Sequence, residues 1–470
     1  MPLKKMQLWW ILFVSTTATS LFLVDTTILP VAIPIIEKEL SFSQIGVIWV
    51  VNSYLLSMTM LLLVGGRLCE IWGYRVIYNL GLVIFAVGSV MGGLTHTGFG
   101  LITARTLQGI GSGLTYPASL ALLITVFPLH LRARAIGIDT GIASFFMMLG
   151  PIIGGALTQY LGWRYIFWIN IPFVIFGIGA SFWLLKKEER KTERFPYFGS
   201  VLMMAGIFLL IYGLMQGNQY GWKSPWTIGS IILGPLLLLL FVLTSLKTEL
   251  PLADFRLFKN PLFLGTNLCR ACLYILIGST VLWVIYFERQ LNYSPLEIGT
   301  LIVVGCLPVI LMAPIGGMIA DRVGYRIPLT IGFLLIIFSM VWLICFSGTK
   351  NVLVFLPGLL AFGSGMPMVM SPTIALGLSS VSAKKLGSAS GLMMTMRQFA
   401  STIGLALMTA VYYSVHDRWQ NYSYAFAAIA ATALFFAIIG FIFTLLLVKK
   451  QSDVHQPHTH LPQPPESCSR

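Results

Sequence analysis

Apolar stretches of about 20 residues follow one another along almost the whole chain, and that spacing constrains its fold more than any other feature. They fall at approximately 8–30, 45–66, 76–94, 100–122, 136–158, 165–186, 198–215, 227–246, 262–287, 297–320, 327–347, 352–376, 388–412 and 424–448. That is about fourteen, each long enough to cross a bilayer as a helix. In lipid a segment must satisfy its own backbone, so the runs read as helices, and the expected fold class is an all-α polytopic membrane protein. Of the 470 residues, 57% are hydrophobic and 10% charged. A soluble domain carries roughly 25% charged residues, so a soluble enzyme or nucleic-acid-binding protein is excluded. The first stretch exceeds the h-region of a cleavable signal and many more follow it, so it too reads as a span.

The net charge of +14 is distributed as topology. One alternate set of loops holds Lys4, Lys5, Arg67, Arg75, Arg132, Arg134, the basic run from Lys186 to Arg194, Lys247, Arg256, Lys259, Arg322, Arg326, Lys384, Lys385, Lys449 and Lys450. The opposite set holds only Lys38, Arg164, Lys223, Arg289, Lys350 and Arg418. Basic loops stay on the cytoplasmic side, so both termini are expected there, which requires an even number of spans. Arg105, Arg270 and Arg397 fall inside spans. The 6 cysteines lie mostly in apolar runs, as small packing residues would.

The chain repeats itself weakly. Gly66, Glu70, Gly73 and Arg75 follow the second stretch in the pattern Gly-x-x-x-acid-x-x-Gly-Tyr-Arg; Gly317, Asp321, Arg322, Gly324 and Arg326 follow the tenth in the same pattern. Glu70 lacks the adjacent basic residue that Arg322 gives Asp321. The expected organisation is an N-terminal six-helix bundle (1–187), two inserted helices with linkers (188–260) and a C-terminal six-helix bundle (261–450). A tail at 451–470, rich in Pro, His and Gln, reads as disordered and cytoplasmic, with His455, His458 and His460 in a solvated role.

Ionisable residues inside spans are costly and mark function. Asp25 is the acid placed well inside one; Asp139 lies near an inner end and Glu288 near an outer end. At 1.5 Å per residue, Asp25 stands roughly 25 Å from the cytoplasmic side and Arg105 roughly 9 Å from the opposite side. In a core of about 30 Å these are nearly equal depths, so the two can share a pocket. Burial raises a carboxylate's proton affinity and a nearby Arg lowers it, a balance suited to a proton switch for which a cationic substrate competes. A permanent structural ion pair is the other reading. Asn52, Tyr54 and Gln108 are candidates for the same cavity, as interhelical hydrogen-bonding groups. Gly137, Gly150, Pro151, Gly154 and Gly155 mark a tight, bent helix seam in the fifth span. Gln108-Gly109-Ile-Gly111-Ser-Gly113 lacks the strand that a dinucleotide loop requires. No HExxH, P-loop, catalytic constellation or metal-ligand cluster is visible, so no cofactor is expected.

These elements together resemble the major facilitator superfamily, and within it the fourteen-span drug:proton antiporters of EmrB/QacA type. The resemblance covers nearly the whole chain. It rests on Asp25-Thr-Thr-Ile through Pro34, the two loop repeats, Leu101 through Arg105 to Gln108-Gly109, the fifth-span Gly-Pro run, and Trp163 through Asn170 to Pro172. Gln216 through Trp222, Pro251 through Phe258, and Arg397-Gln398 add local matches. The chain departs from the family at Glu70, Ile71, Phe146 and Pro196. The resemblance implies two pseudo-twofold-related six-helix bundles plus two central helices. It also implies export of amphipathic, often cationic compounds from the bacterial inner membrane, driven by the proton gradient. Asp25, Arg105, Asn52, Gln108 and Arg397 would carry coupling, and the loop and Gly-Pro motifs would serve conformational exchange. A periplasmic adaptor is a candidate partner. A metabolite symporter or uniporter of the same fold is the first alternative; a membrane-embedded sensor or enzyme is the second.

Overall fold

The computed structural model describes residues 5–42, 44–127, 129–185, 195–248, 251–381 and 386–448. The expectations for Lys4, Lys187, Lys384 and the His-containing tail lie outside the described residues. Eighteen helices follow in order: α1 Lys5–Ile28, α2 Ile33–Glu39, α3 Gln44–Trp72, α4 Tyr74–Leu94, α5 Gly98–Val126, α6 Leu129–Tyr160, α7 Tyr165–Trp168, α8 Asn170–Leu184 and α9 Tyr197–Tyr220. Then come α10 Pro225–Lys247, α11 Pro261–Ile277, α12 Thr280–Leu291, α13 Pro295–Cys306, α14 Pro308–Val323, α15 Arg326–Cys345, α16 Leu356–Ser379, α17 Leu386–Trp419 and α18 Tyr422–Leu447. No strand occurs among the described residues. Eleven helical segments among them are long and apolar enough to cross a membrane.

Local chemistry sets the breaks. Pro30 and Pro34 interrupt the first span with a 3-10 turn, so α1 and α2 run on as one bent segment over Leu8–Glu39. The Thr97 hydroxyl caps α5 by accepting from the Gly100 N–H. Ser294 and Glu297 close a capping box on α13. Gly73 and Gly324 take φ of 91° and 90°, where only glycine turns without strain; Gly73 caps the start of α4 and Gly324 the end of α14.

Helices α1 to α8 pack chiefly on one another, as do α11 to α18. Small residues let the backbones close in. A Cβ on Gly88 of α4 would stand 2.7 Å from the Ala104 carbonyl of α5, and one on Gly332 of α15 would stand 2.8 Å from the Gly365 carbonyl of α16. The loop repeat recurs in three dimensions: Arg75 donates to the Leu185 carbonyl at 2.8 Å, at the end of α8, and Arg326 donates to the Leu445 carbonyl at 3.0 Å, near the end of α18. The two groups meet where α3 crosses α17 and where α6 crosses α13. Thr59 and Thr402 share a hydrogen bond of 2.9 Å at the first crossing, and at the second a Cβ on Gly299 would run into Pro151. Helices α9 and α10 pack on each other, and α9 also lies against both α3 and α17. Only 17% of α10 is buried, so its side chains meet lipid, as its apolar sequence requires.

Candidate coupling site

Asp25 stands near the end of α1, one turn before the Pro30 break, with its side chain fully buried. Its Oδ2 accepts from Nη1 of Arg105 on α5 at 2.5 Å. Its Oδ1 accepts from the Asn170 amide of α8 at 3.3 Å. Arg105 also donates from Nη1 to Gln108 at 2.7 Å and from Nε to the Val50 carbonyl of α3 at 3.1 Å. The ring of Tyr54 supports the guanidinium, 4.2 Å from centroid to Cζ. Gln108 in turn donates to Ser89 of α4 at 2.8 Å. Five helices thus converge on one ion pair. Charge-assisted bonds of this kind are strong, and the surrounding low dielectric makes leaving either group unpaired expensive.

The equal-depth argument therefore brings Asp25, Arg105, Gln108 and Tyr54 to one point. Asn52 is fully buried, yet its amide atoms have no partner and do not join the pair. Arg397 sits on α17 in the other group of helices, 5.4 Å from the ring of Tyr274. Helix depth locates a residue along the bilayer normal but not its rotation about the axis, and rotation sends these two elsewhere. Asn170 and Ser89 complete the site without being candidates. Asn170 lies within the Trp163–Pro172 match and opens α8, which was the available signal. In this conformation the Asp25 carboxylate has no exposed surface and is closed in by Arg105 and Asn170.

Other candidate residues serve the frame. Glu70 is not without a basic partner: Arg67, three residues back on α3, pairs with it at 2.5 Å, a helical spacing that adjacency in sequence hides. Gly66 lies on α3 a turn before it, and Arg322 is exposed at the end of α14. Gly317 faces Ser371 of α16 at 3.8 Å from a built Cβ; the side chain of Asp321 lies outside the described residues. Gly150 and Gly154 of α6 press against Thr27 and Ile28 of α1, Gly155 is buried beside them, and Pro151 abuts Gly299 of α13. This run thus touches both the carrier of Asp25 and the opposite group of helices. Gly137 lies on the same helix among residues whose side chains are outside the described set. Asp139 of α6 is also buried, with Oδ1 unpartnered.

The two groups are tied together at one end of the molecule. Arg289 at the end of α12 pairs with Glu37 of α2 at 2.7 Å, and Lys38 pairs with Glu288 at 2.8 Å.

The profile of the Major Facilitator Superfamily matches residues 15–405 and 269–465. The chain belongs to the major facilitator superfamily. Multidrug resistance protein Stp of Mycobacterium tuberculosis (strain CDC 1551 / Oshkosh) is 30% identical over 400 residues, 84% of this facilitator and 74% of that protein. The tetracenomycin C resistance and export protein of Streptomyces glaucescens is 29% identical over 421 residues, 88% and 78% of the two chains. The riboflavin transporter RibZ of Clostridioides difficile (strain 630) is 28% identical over 459 residues, 94% and 98%. The crystal structure of a D-xylose-proton symporter superposes with a TM-score of 0.67 at 14% identity, covering 94% of this chain and 98% of that one. At that identity the likeness shows the fold alone. The facilitator is a multi-pass membrane transporter, and no enzyme family is indicated.

Proposed function

We propose that this facilitator exports small amphipathic compounds in exchange for protons, by alternating access, from the bacterial cytoplasmic membrane. The observation that carries the reading is the buried Asp25–Arg105 pair. A carboxylate at that depth is paired, protonated or bound to a cation at every stage, so any rearrangement that parts it from Arg105 drives proton uptake. The export named for the Streptomyces relative, beside the multidrug resistance named for the Mycobacterium one, supports the direction of transport. The Gly150–Gly155 run links the helix of Asp25 to the crossing with α13, so rocking of the two halves reaches the carboxylate through α6. The riboflavin transporter, alike over nearly its whole length, supports a metabolite carrier as the second reading.

In this reading α5, α17 and the α13–α14 segment also cross the bilayer, which brings the eleven apolar segments to fourteen. Both termini are cytoplasmic, and the Glu37–Arg289 end faces outward. Cysteine labels at Lys223 and Lys187 are expected to react from opposite sides; reaction from one side refutes the topology. The function is tested by a susceptibility panel in an efflux-deficient host, comparing the protein with Asp25→Asn, and by proton release when substrate is added to purified protein. Loss of resistance and of proton release in Asp25→Asn supports the reading. Unchanged proton release moves coupling to another group, Asp139 or Glu288.

A further inference from the structure

Several fully or partly buried arginines among the described residues have carboxylate, amide or carbonyl acceptors. Arg105 has Asp25, Gln108 and Val50; Arg289 has Glu37; Arg75 and Arg326 have helix-end carbonyls. Arg270 and Arg397 differ: their polar partners are phenol oxygens, Tyr274 for both and Tyr116 for Arg397. Arg270, on α11, is 6% exposed, and its Nε has no partner; the Nε of Arg397, on α17, is equally orphaned. Neither makes an ion pair with any carboxylate among the described residues. Both guanidiniums flank one ring, that of Tyr274, at 6.0 and 5.4 Å. Tyr116, projecting from α5 in the other group of helices, lies within electrostatic range of both. Asp139 acts on Tyr116 but on neither guanidinium.

Two like charges held together, desolvated and without a counter-ion are costly in a membrane interior. Residues from both groups of helices meet at this point, so it lies between the two halves that alternating access moves apart. We infer that the Arg270–Arg397–Tyr274–Tyr116 cluster is a substrate subsite that takes the carboxylate of an amphipathic organic anion. Each guanidinium presents a planar fork that matches a carboxylate, and the two tyrosine rings offer flat apolar walls for an aromatic body. This substrate class is the reverse of the cationic one expected from Asp25, and it follows from where the unpaired charge lies. The inference rests on the gap between the halves being the substrate path, the reading proposed above. Its test needs no proton gradient, so failure of coupling and failure of anion preference register separately.

The experiment is equilibrium binding to the purified full chain in a neutral detergent without added lipid, with three probes of one shape: 4-phenylbenzoate, 4-phenylbenzamide and 4-phenylbenzylamine. The benzoate is expected to bind at least about tenfold more tightly than the amide or the amine. Arg270→Gln and Arg397→Gln should each weaken the benzoate by about tenfold or more while leaving the amide within about threefold, and the Lys variants should keep part of the preference. The Lys variants and the unmodified protein's own probe ratio hold the test if a Gln variant folds poorly. Equal binding of benzoate and amide, preference for the amine, no benzoate binding at all, or Gln variants that keep the benzoate preference would each overturn the inference. Displacement of the benzoate by phosphatidylglycerol at comparable concentration would overturn it too, because a lipid headgroup would then be the natural occupant.

Discussion

Neutralising one member of the Asp25–Arg105 pair leaves the other charge stranded. In Asp25→Asn, Arg105 keeps its bonds to Gln108 and Val50 but stays 1% exposed with no opposing charge. Removing one partner of a buried pair costs about 3–5 kcal/mol. The asparagine oxygen can still accept from Nη1, which places this change near the lower end, about 3 kcal/mol. Arg105→Gln strands the carboxylate, whose remaining donor is the Asn170 amide at 3.3 Å, so its loss should be the larger, about 4 kcal/mol. In the double variant no charge is stranded. Its loss should therefore fall at least about 2 kcal/mol short of the sum of the single losses. Chemical unfolding in detergent, followed with a thiol-reactive dye, measures this. Cys69, Cys269 and Cys272 are buried and become reactive only on unfolding, whereas exposed Cys345 gives a constant background. Losses that add to within about 0.5 kcal/mol would refute the reasoning, since the two groups would then not be energetically paired.

The Glu37–Arg289 pair holds one end of the molecule shut, so Glu37→Gln should raise accessibility of the gap to membrane-impermeant thiol reagents from that side by about tenfold; the exchange Glu37→Arg with Arg289→Glu should restore it, and an unchanged labelling rate speaks against a clasp. Gly299→Val drives a side chain into the Pro151 backbone at the α6–α13 crossing, an overpacking of about 1–3 kcal/mol that should stop transport while leaving the purified protein monodisperse; full transport would show that the crossing has slack. Arg75→Ala should lower unfolding stability by about 1–2 kcal/mol and Arg326→Ala by less, because Arg75 loses both the Leu185 carbonyl and the Phe182 ring 4.9 Å away. Equal losses would mean that the ring contact contributes nothing.

Much of the frame was legible because lipid imposes simple rules. Span length and the Gly-x-x-x-acid repeat are one-dimensional signals, and the repeat reappears as the matched Arg75 and Arg326 helix-end bonds. The meeting of Asp25 with Arg105 was also legible, because helix rise converts sequence number into depth. What depth does not encode is azimuth. Asn52 and Arg397 sit at plausible levels but turn away from the pair, whereas Asn170 and Ser89 turn toward it. The setting of Arg270, beside Tyr274 and with its Nε orphaned, was illegible for the same reason: a lone intramembrane arginine in sequence does not show its neighbours.

The position of α9 has a consequence for how greasy solutes arrive. The molecule has two long seams where its halves meet, α3 with α17 and α6 with α13. Helix α9 lies across the first, touching both walls, with α10 packed behind it; no helix covers the second among the described residues. One seam is therefore covered by an added helix, whereas the other is closed only by its own packing of Gly299 on Pro151. The added helix pair makes the protein one-sided in the plane of the membrane: in the export reading proposed above, parting of the halves bares the α6–α13 flank, and not the α3–α17 flank, to the bilayer.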